Sequence, residues 1–142
     1  MKILLPVDGS PSSSRALRYV IKHWGGKTPA RRASLLLLHV DPPLPERVGR
    51  YLTLEARARF HEDRARRAVR AARRMLRAAG LPFEERLVVG DPAPIVIRTA
   101  AKDHCDLIAM GSHGRGALMS LVLGSVVMKV LSLSRVPVLV AR

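Results

Sequence analysis

The segment Lys2-Ile3-Leu4-Leu5-Pro6-Val7-Asp8-Gly9-Ser10-Pro11 combines an apolar run with an abrupt polar ending. A short apolar run that is closed by Asp, Gly, Ser and Pro predicts a buried strand followed by a tight turn. From Ser12 to Trp24, apolar residues recur at three- and four-residue intervals, which predicts a helix that ends at the glycine pair 25–26. This strand-turn-helix unit indicates an α/β fold.

The same unit repeats along the rest of the chain. Apolar runs predict four further strands at residues 34–40, 83–89, 107–110 and 136–141. Helical periodicity predicts three further helices at residues 54–79, 92–104 and 126–133. Strict alternation indicates a parallel sheet, because each crossover must be right-handed and must cover one face. We therefore expect one domain over residues 1–142, a doubly wound, Rossmann-like sheet of five parallel strands with helices on both faces.

The helix predicted at residues 54–79 is strongly basic. Its apolar seam consists of Ala58, Ala65, Val69, Ala72, Leu76 and Ala79. Nine arginines occupy the opposite arc, namely Arg57, Arg59, Arg64, Arg66, Arg67, Arg70, Arg73, Arg74 and Arg77. Acidic residues lie among them, and the arc is interpreted as a solvated face. The proline-rich segment 41–45 before this helix predicts a stiff, non-helical loop.

Composition limits the classes of partner. The chain has 25 Lys and Arg against 11 Asp and Glu, a formal net charge of +14, which attracts anions such as nucleotides, nucleic acids and acidic lipids. Aromatic residues are only 4% of the chain, so base-stacking platforms are few and we do not expect nucleic acid as a physiological partner. No apolar run reaches the roughly 20 residues of a membrane helix. We expect a cytoplasmic protein with no membrane partner.

Cysteine and histidine usage argues against metal chemistry. One cysteine excludes an internal disulfide and most thiolate metal sites, and we interpret Cys105 as a small buried residue. His23, His39, His61 and His104 show no metal-ligand spacing. We therefore expect no metal site built by the chain itself.

A glycine-rich segment follows the fourth predicted strand, beginning Gly111-Ser112-His113-Gly114-Arg115-Gly116 and ending Gly124-Ser125. Glycines let backbone N–H groups approach an anion, and Gly124-Ser125 lies directly before a helix, whose N-terminus favours negative charge. Ligands of doubly wound sheets bind beyond the carboxyl ends of the strands, where strand order reverses. The side chain of Asp8 is expected at the same edge. Two interpretations fit these features equally well, a nucleotide site or an ordinary glycine turn followed by a helix cap; neither a Walker A motif nor the dinucleotide fingerprint is present.

The whole chain resembles the universal stress protein family. Gly111, Gly114, Gly124 and Ser125 match without a gap that family's ATP-binding signature, which is Gly, two residues, Gly, nine residues, Gly, then Ser or Thr. The resemblance also covers residues 3–10, 39–40, 89–92 and 137–140. It implies the strand order 3-2-1-4-5.

The resemblance further implies that ATP, with Mg²⁺ as an optional companion, or another adenine nucleotide, is held between the strand-one loop and the glycine-rich loop. The implied nucleotide-binding residues are Pro6, Val7, Asp8, Val40, Met110, Gly111, His113, Gly114, Arg115, Gly124, Ser125 and Val126. It also implies a homodimer through the last strand, from Val136 to Ala141. Val127 and Met128 depart from the polar residues of many relatives, so these side chains are not assigned to the phosphates.

Three functions follow from these observations. The first is a nucleotide-binding regulatory module with no catalytic residues. The second is an enzyme, either a slow ATPase or an autophosphorylating protein, for which Asp8 and His113 are the only candidate bases; a solvated loop histidine is an equally good interpretation of His113. The third is a basic interaction protein with a vestigial nucleotide site.

Overall fold

Five strands form the centre of the computed structural model, which describes residues 1–26, 33–114 and 123–142. The strands are β1 Lys2–Pro6, β2 Ser34–Asp41, β3 Phe83–Val89, β4 Leu107–Gly111 and β5 Val138–Ala141. Every pairing is parallel, and the order is β3-β2-β1-β4-β5. Both the predicted fold class and the predicted strand order are confirmed.

Five helices connect the strands in the described part of the chain. They are α1 Pro11–Trp24, α2 Glu46–Gly49, α3 Leu54–Ala78, α4 Pro92–Lys102 and α5 Ser125–Leu133. The short helix α2 was not expected from the sequence; it begins directly after Pro45, whose missing N–H is harmless at a helix start. No helix in the three described ranges is long and apolar enough to cross a membrane.

The last strand begins two residues later than the sequence predicts. The backbone N–H of Val136 donates to Ser134 Oγ at 3.1 Å, and Pro137 has no N–H to donate. The ladder with β4 therefore starts at Val138, which pairs with Ile108.

The core lies in two layers, one on each face of the sheet. In β1 and β2, alternate residues point to opposite faces, so Ile3, Leu5, Leu35 and Leu37 pack in one layer and Leu4, Leu36 and Leu38 in the other. Helices α1 and α3 cover the first layer, while α4 and α5 cover the second. This two-sided burial explains the four consecutive leucines.

The buried face of α3 differs from the predicted seam. Its buried residues are Ala65, Ala68, Val69, Ala72 and Leu76. Ala58 and Ala79 are exposed, because the first turns of α3 and its C-cap lie beyond the part of the helix that packs on the sheet. Six of the nine arginines are exposed, as the interpretation of a solvated face expects, and three are partly buried. Two of these three pair with strand carboxylates: Arg73 with Glu85 of β3, with Nε at 2.7 Å from Oε2, and Arg64 with Asp41 of β2.

Cys105 lies just before β4 and is buried, with 6% of its surface exposed. Burial raises the pKa of its thiol. The interpretation of Cys105 as a small buried residue is confirmed.

Candidate nucleotide cleft

A cleft of about 380 Å³ lies at the carboxyl ends of β1, β2 and β4. The chain leaves β1 for α1 on one face of the sheet and leaves β4 for α5 on the other face. Because the two connections diverge, a crevice remains between them, as expected where strand order reverses.

The structure brings most of the predicted site residues together in this cleft. Those that line it are Pro6, Val7, Asp8, Val40, Met110, Gly111, His113, Gly114, Gly124, Ser125 and Val126. Arg115, which the resemblance assigns to the phosphate loop, lies outside the described residues.

The loop after β1 and the first turn of α1 both contact the loop after β4. Asp8 Oδ1 accepts from the N–H of Ser10 at 2.9 Å, which turns the chain into α1. Asp8 Oδ2 would lie only 3.0 Å from a Cβ at Gly114. The N–H of His113 donates to Ser12 Oγ at 3.2 Å. The Asp8 carboxylate therefore lies directly against bare backbone of the glycine-rich loop.

Packing of the backbone requires a glycine at position 111. A Cβ at this position would lie 2.4 Å from the carbonyl carbon of Ser12 and 2.6 Å from its carbonyl oxygen. The first turn of α1 therefore packs directly on the end of β4, and no larger residue fits there without a shift. Close approach of two segments of backbone explains this glycine without reference to a ligand.

Gly124 is the N-cap of α5 and provides no side-chain cap. Its N–H donates to the carbonyl of Ser112 at 2.9 Å, which brings the helix start against the end of β4. The first N–H groups of a helix have no partner within the helix, and together with the helix dipole they favour an anion. Ser125 and Val126 in this first turn line the cleft. This end of the cleft is therefore suited to phosphate.

On the β2 side, the cleft contains residues that sequence reasoning missed. The carboxylate of Asp41 is 3% exposed and is held by two residues of α3: His61, with Nδ1 at 2.5 Å from Oδ2, and Arg64, with Nε at 2.9 Å from Oδ1. Asp41 and Arg64 both line the cleft. The available signal was in the sequence: Asp41 directly follows the apolar run of the second predicted strand, as Asp8 follows the apolar run of the first.

His39 is buried behind the same wall. Its Nδ1 donates to the carbonyl oxygen of Val7 at 2.8 Å, while Nε2 has no hydrogen-bond partner among the described residues. The N–H of Val7 donates to the carbonyl of Leu38 at 2.8 Å. These two hydrogen bonds fix the backbone of Val7 to β2. Because Val7 directly precedes Asp8, they limit the positions that the Asp8 carboxylate can take.

The groups around His113 are the ones that bear on acid-base chemistry in this cleft. His113 Nδ1 lies 2.9 Å from Ser112 Oγ, but Ser112 is 1% exposed and its hydroxyl is also 3.3 Å from Ser12 Oγ. Among the described residues, no three His, Cys, Asp or Glu side chains are grouped closely enough to hold a metal ion.

Comparison with known proteins gives one consistent result. The model of the universal stress protein family matches residues 1–142. The universal stress protein in the QAH/OAS sulfhydrylase 3' region of Thermus aquaticus is 36% identical over 141 residues, covering 99% of this chain and 97% of that protein.

Two solved structures share the fold over nearly their whole length. Protein MJ0577 of Methanocaldococcus jannaschii is 29% identical, with a TM-score of 0.78 and coverage of 99% of this chain and 94% of its own. A universal stress protein in complex with cAMP is 26% identical, with a TM-score of 0.68 and coverage of 100% and 97%. The chain therefore belongs to the universal stress protein family.

Proposed function

We propose that this chain is an adenine-nucleotide-binding regulatory module that holds ATP in the cleft between the β1 loop and the glycine-rich loop. The observation that carries the proposal is the convergence of three features: the Asp8 carboxylate, the bare backbone of Gly114 and the start of α5, which lacks a side-chain cap. The related structure in complex with cAMP supports the adenine class.

The proposed orientation follows from the two ends of the cleft. Phosphates lie at the N-terminus of α5, and the base lies toward Val40 at the end of β2. Strands are spaced by about 4.8 Å, so β2 and β4 are roughly 10 Å apart, which suits the length of a nucleoside. Asp8, on β1 between them, accepts a hydrogen bond from a ribose hydroxyl or an adenine amine.

Three further elements belong to this proposal. Mg²⁺ is an optional companion of ATP in this proposal, bound through the phosphates. A homodimer forms by pairing of β5 with β5 of a second copy of the chain, because β5 is an edge strand of the sheet.

The cytoplasmic location that we expect from the sequence stays a prediction.

A second candidate is slow hydrolysis or autophosphorylation. It is favoured by Asp8 and His113 lining one cleft. The low exposure of Ser112 argues against that hydroxyl as a phosphate acceptor. Single-turnover assays with Asp8→Asn and His113→Ala separate hydrolysis from binding.

The proposed binding is tested by calorimetric titration of the purified protein with ATP, ADP, AMP and adenosine. Asp8→Asn keeps an oxygen for the N–H of Ser10 but puts an amide donor beside the nucleotide. Hydrogen bonds to charged groups contribute about 1.5–3 kcal/mol, so we expect about 10-fold or greater loss of ATP affinity. Asp63→Asn is the control, because it removes the same charge at an exposed position of α3. No binding by the unaltered protein at millimolar nucleotide would refute the proposal.

A further inference from the structure

Arg64 differs from the other arginines of α3 in what fixes it and in where it lies. Its Nε donates to the buried Oδ1 of Asp41 at 2.9 Å, and its side chain is 40% exposed and lines the nucleotide cleft. The ion pair with a nearly inaccessible carboxylate restricts the guanidinium to one place. A charged group is therefore held in advance at the wall of the cleft.

Arg64 also lies near an aromatic side chain of its own helix. Arg64 Cζ lies 5.4 Å from the centroid of the Phe60 ring, within the range of a cation–π contact. Nε is committed to Asp41, but a guanidinium has five N–H donors and two faces. Guanidinium planes stack on aromatic rings, so the guanidinium of Arg64 is suited to stack on a purine ring.

The position of Arg64 points to the base rather than to the phosphates. Arg64 reaches the cleft beside Asp41, at the end of β2, whereas α5 starts at the end of β4, where the N–H of Gly124 donates to the carbonyl of Ser112. Strand β1 separates these two strands in the sheet. A phosphate at the α5 N-terminus is thus on the far side of the cleft from this guanidinium.

We propose that Arg64 forms the base-side wall of the cleft and stacks its guanidinium on the purine ring of the bound nucleotide. This inference rests on the proposed function and assigns to it a binding residue from α3. Asp41 holds the guanidinium in place, so little side-chain entropy is lost on binding. Because stacking acts on the base alone, it contributes equally to adenosine, AMP and ATP.

The experiment measures the affinities of the full chain for adenosine and ATP by calorimetry, in the unaltered protein and in Arg64→Ala, Arg64→Lys and Arg67→Ala. Arg67 is exposed on the same helix, so Arg67→Ala removes one charge without touching the cleft. We expect Arg64→Ala to weaken adenosine and ATP by the same factor, about 3- to 30-fold. Arg64→Lys keeps the positive charge and the ion pair with Asp41 but removes the planar guanidinium group. Its affinity for adenosine and for ATP should fall at least about 3-fold.

The outcomes separate the two proposals. If the unaltered protein binds neither ligand, the proposed function fails and this inference fails with it. If it binds both, then equal losses in Arg64→Ala with unchanged adenosine affinity in Arg67→Ala support base stacking. Loss of ATP affinity alone overturns it in favour of a phosphate contact, and no loss overturns it outright. Should Arg64→Ala fail to fold, Arg64→Lys decides, and adenosine affinity equal to that of the unaltered protein rejects the stack.

Discussion

The hydroxyl of Ser12, in the first turn of α1, accepts a hydrogen bond at 3.2 Å from the backbone N–H of His113, more than a hundred residues away. The same hydroxyl is 3.3 Å from Ser112 Oγ, and both serines are buried. The glycine-rich loop therefore starts from a fixed point on the other side of the cleft. The geometry of the cleft therefore depends on contacts between two distant segments, the start of α1 and the glycine-rich loop.

The contact between α1 and the end of β4 predicts the effect of Gly111→Ala. The added methyl group would lie 2.4 Å from the Ser12 carbonyl carbon, so the helix must shift. Overpacking of this kind costs about 1–3 kcal/mol of unfolding free energy, to be measured by urea denaturation. Gly49→Ala is the control, since a Cβ there meets nothing nearer than 3.7 Å. Equal stability of the two variants would contradict the predicted contact.

Gly114→Ala is expected to act on binding. Its Cβ would lie 3.0 Å from Asp8 Oδ2, which must move by a few tenths of an ångström. Gly114 is exposed, so we expect little change in unfolding free energy. Under the proposed function, ATP affinity should fall by about 10-fold, because the displaced carboxylate loses a charge-assisted hydrogen bond. Titration of this variant beside Gly49→Ala checks the prediction, which is wrong if both bind ATP equally.

The ion pair between Arg86 of β3 and Asp103 at the end of α4 predicts that the free energy of unfolding depends on pH in the acid range. Arg86 Nη2 donates to Asp103 Oδ1 at 2.7 Å, and this hydrogen bond holds the pKa of the Asp103 carboxyl below its usual value of 3.8. A lowered pKa in the folded state stabilises the protein above the unfolded pKa, and that stability is lost as pH falls through the folded pKa.

Asp103→Asn should therefore unfold at lower urea concentration than the unaltered protein at pH 7. The difference should begin to shrink as pH falls below about 4, where the carboxyl is protonated in the unfolded chain, and should be lost as pH falls through the lower pKa of the folded state. Asp63→Asn, at an exposed position of α3, is the control. A difference between Asp103→Asn and the unaltered protein that stays constant from pH 7 to pH 2 would rule out the linkage.

Cys105 is expected to resist thiol reagents. Burial raises the pKa of the thiol, so the thiolate that reacts is scarce near neutral pH. Labelling with a disulfide reagent at pH 7.5 (about one pH unit below the usual thiol pKa) should be slow in the folded protein and fast in urea. Rapid labelling without denaturant would show that the segment before β4 opens readily.

The alternation of strands and helices was predictable because burial on both faces of a parallel sheet leaves a visible pattern. Residues 35–38 are four consecutive leucines, and the structure distributes them between both core layers. The short helix α2 and the late start of β5 left no such pattern. Helix α2 is a four-residue turn after Pro45, and β5 starts late because Pro137 has no N–H and the N–H of Val136 donates to Ser134 Oγ. Neither feature is long enough to appear in the apolar periodicity of the sequence.

Periodicity on a helix reports which arc is apolar, but not which charged residues meet a partner. All nine arginines of α3 belong to the same polar arc in the sequence, whereas in the fold Arg64 and Arg73 pair with Asp41 and Glu85. Those carboxylates come from strands, and their heights relative to α3 depend on how the helix lies on the sheet. No local pattern in the sequence predicts how α3 is placed on the sheet.

The sequence by itself determined the element types, the parallel sheet and the edge at which Asp8 and the glycine-rich loop meet, because these follow from local propensity and from the handedness of crossovers. Only the tertiary structure decided that Gly111 serves helix packing and that Arg64 reaches the cleft. Both depend on distances between residues far apart in the chain, and such distances are set by packing of the whole core.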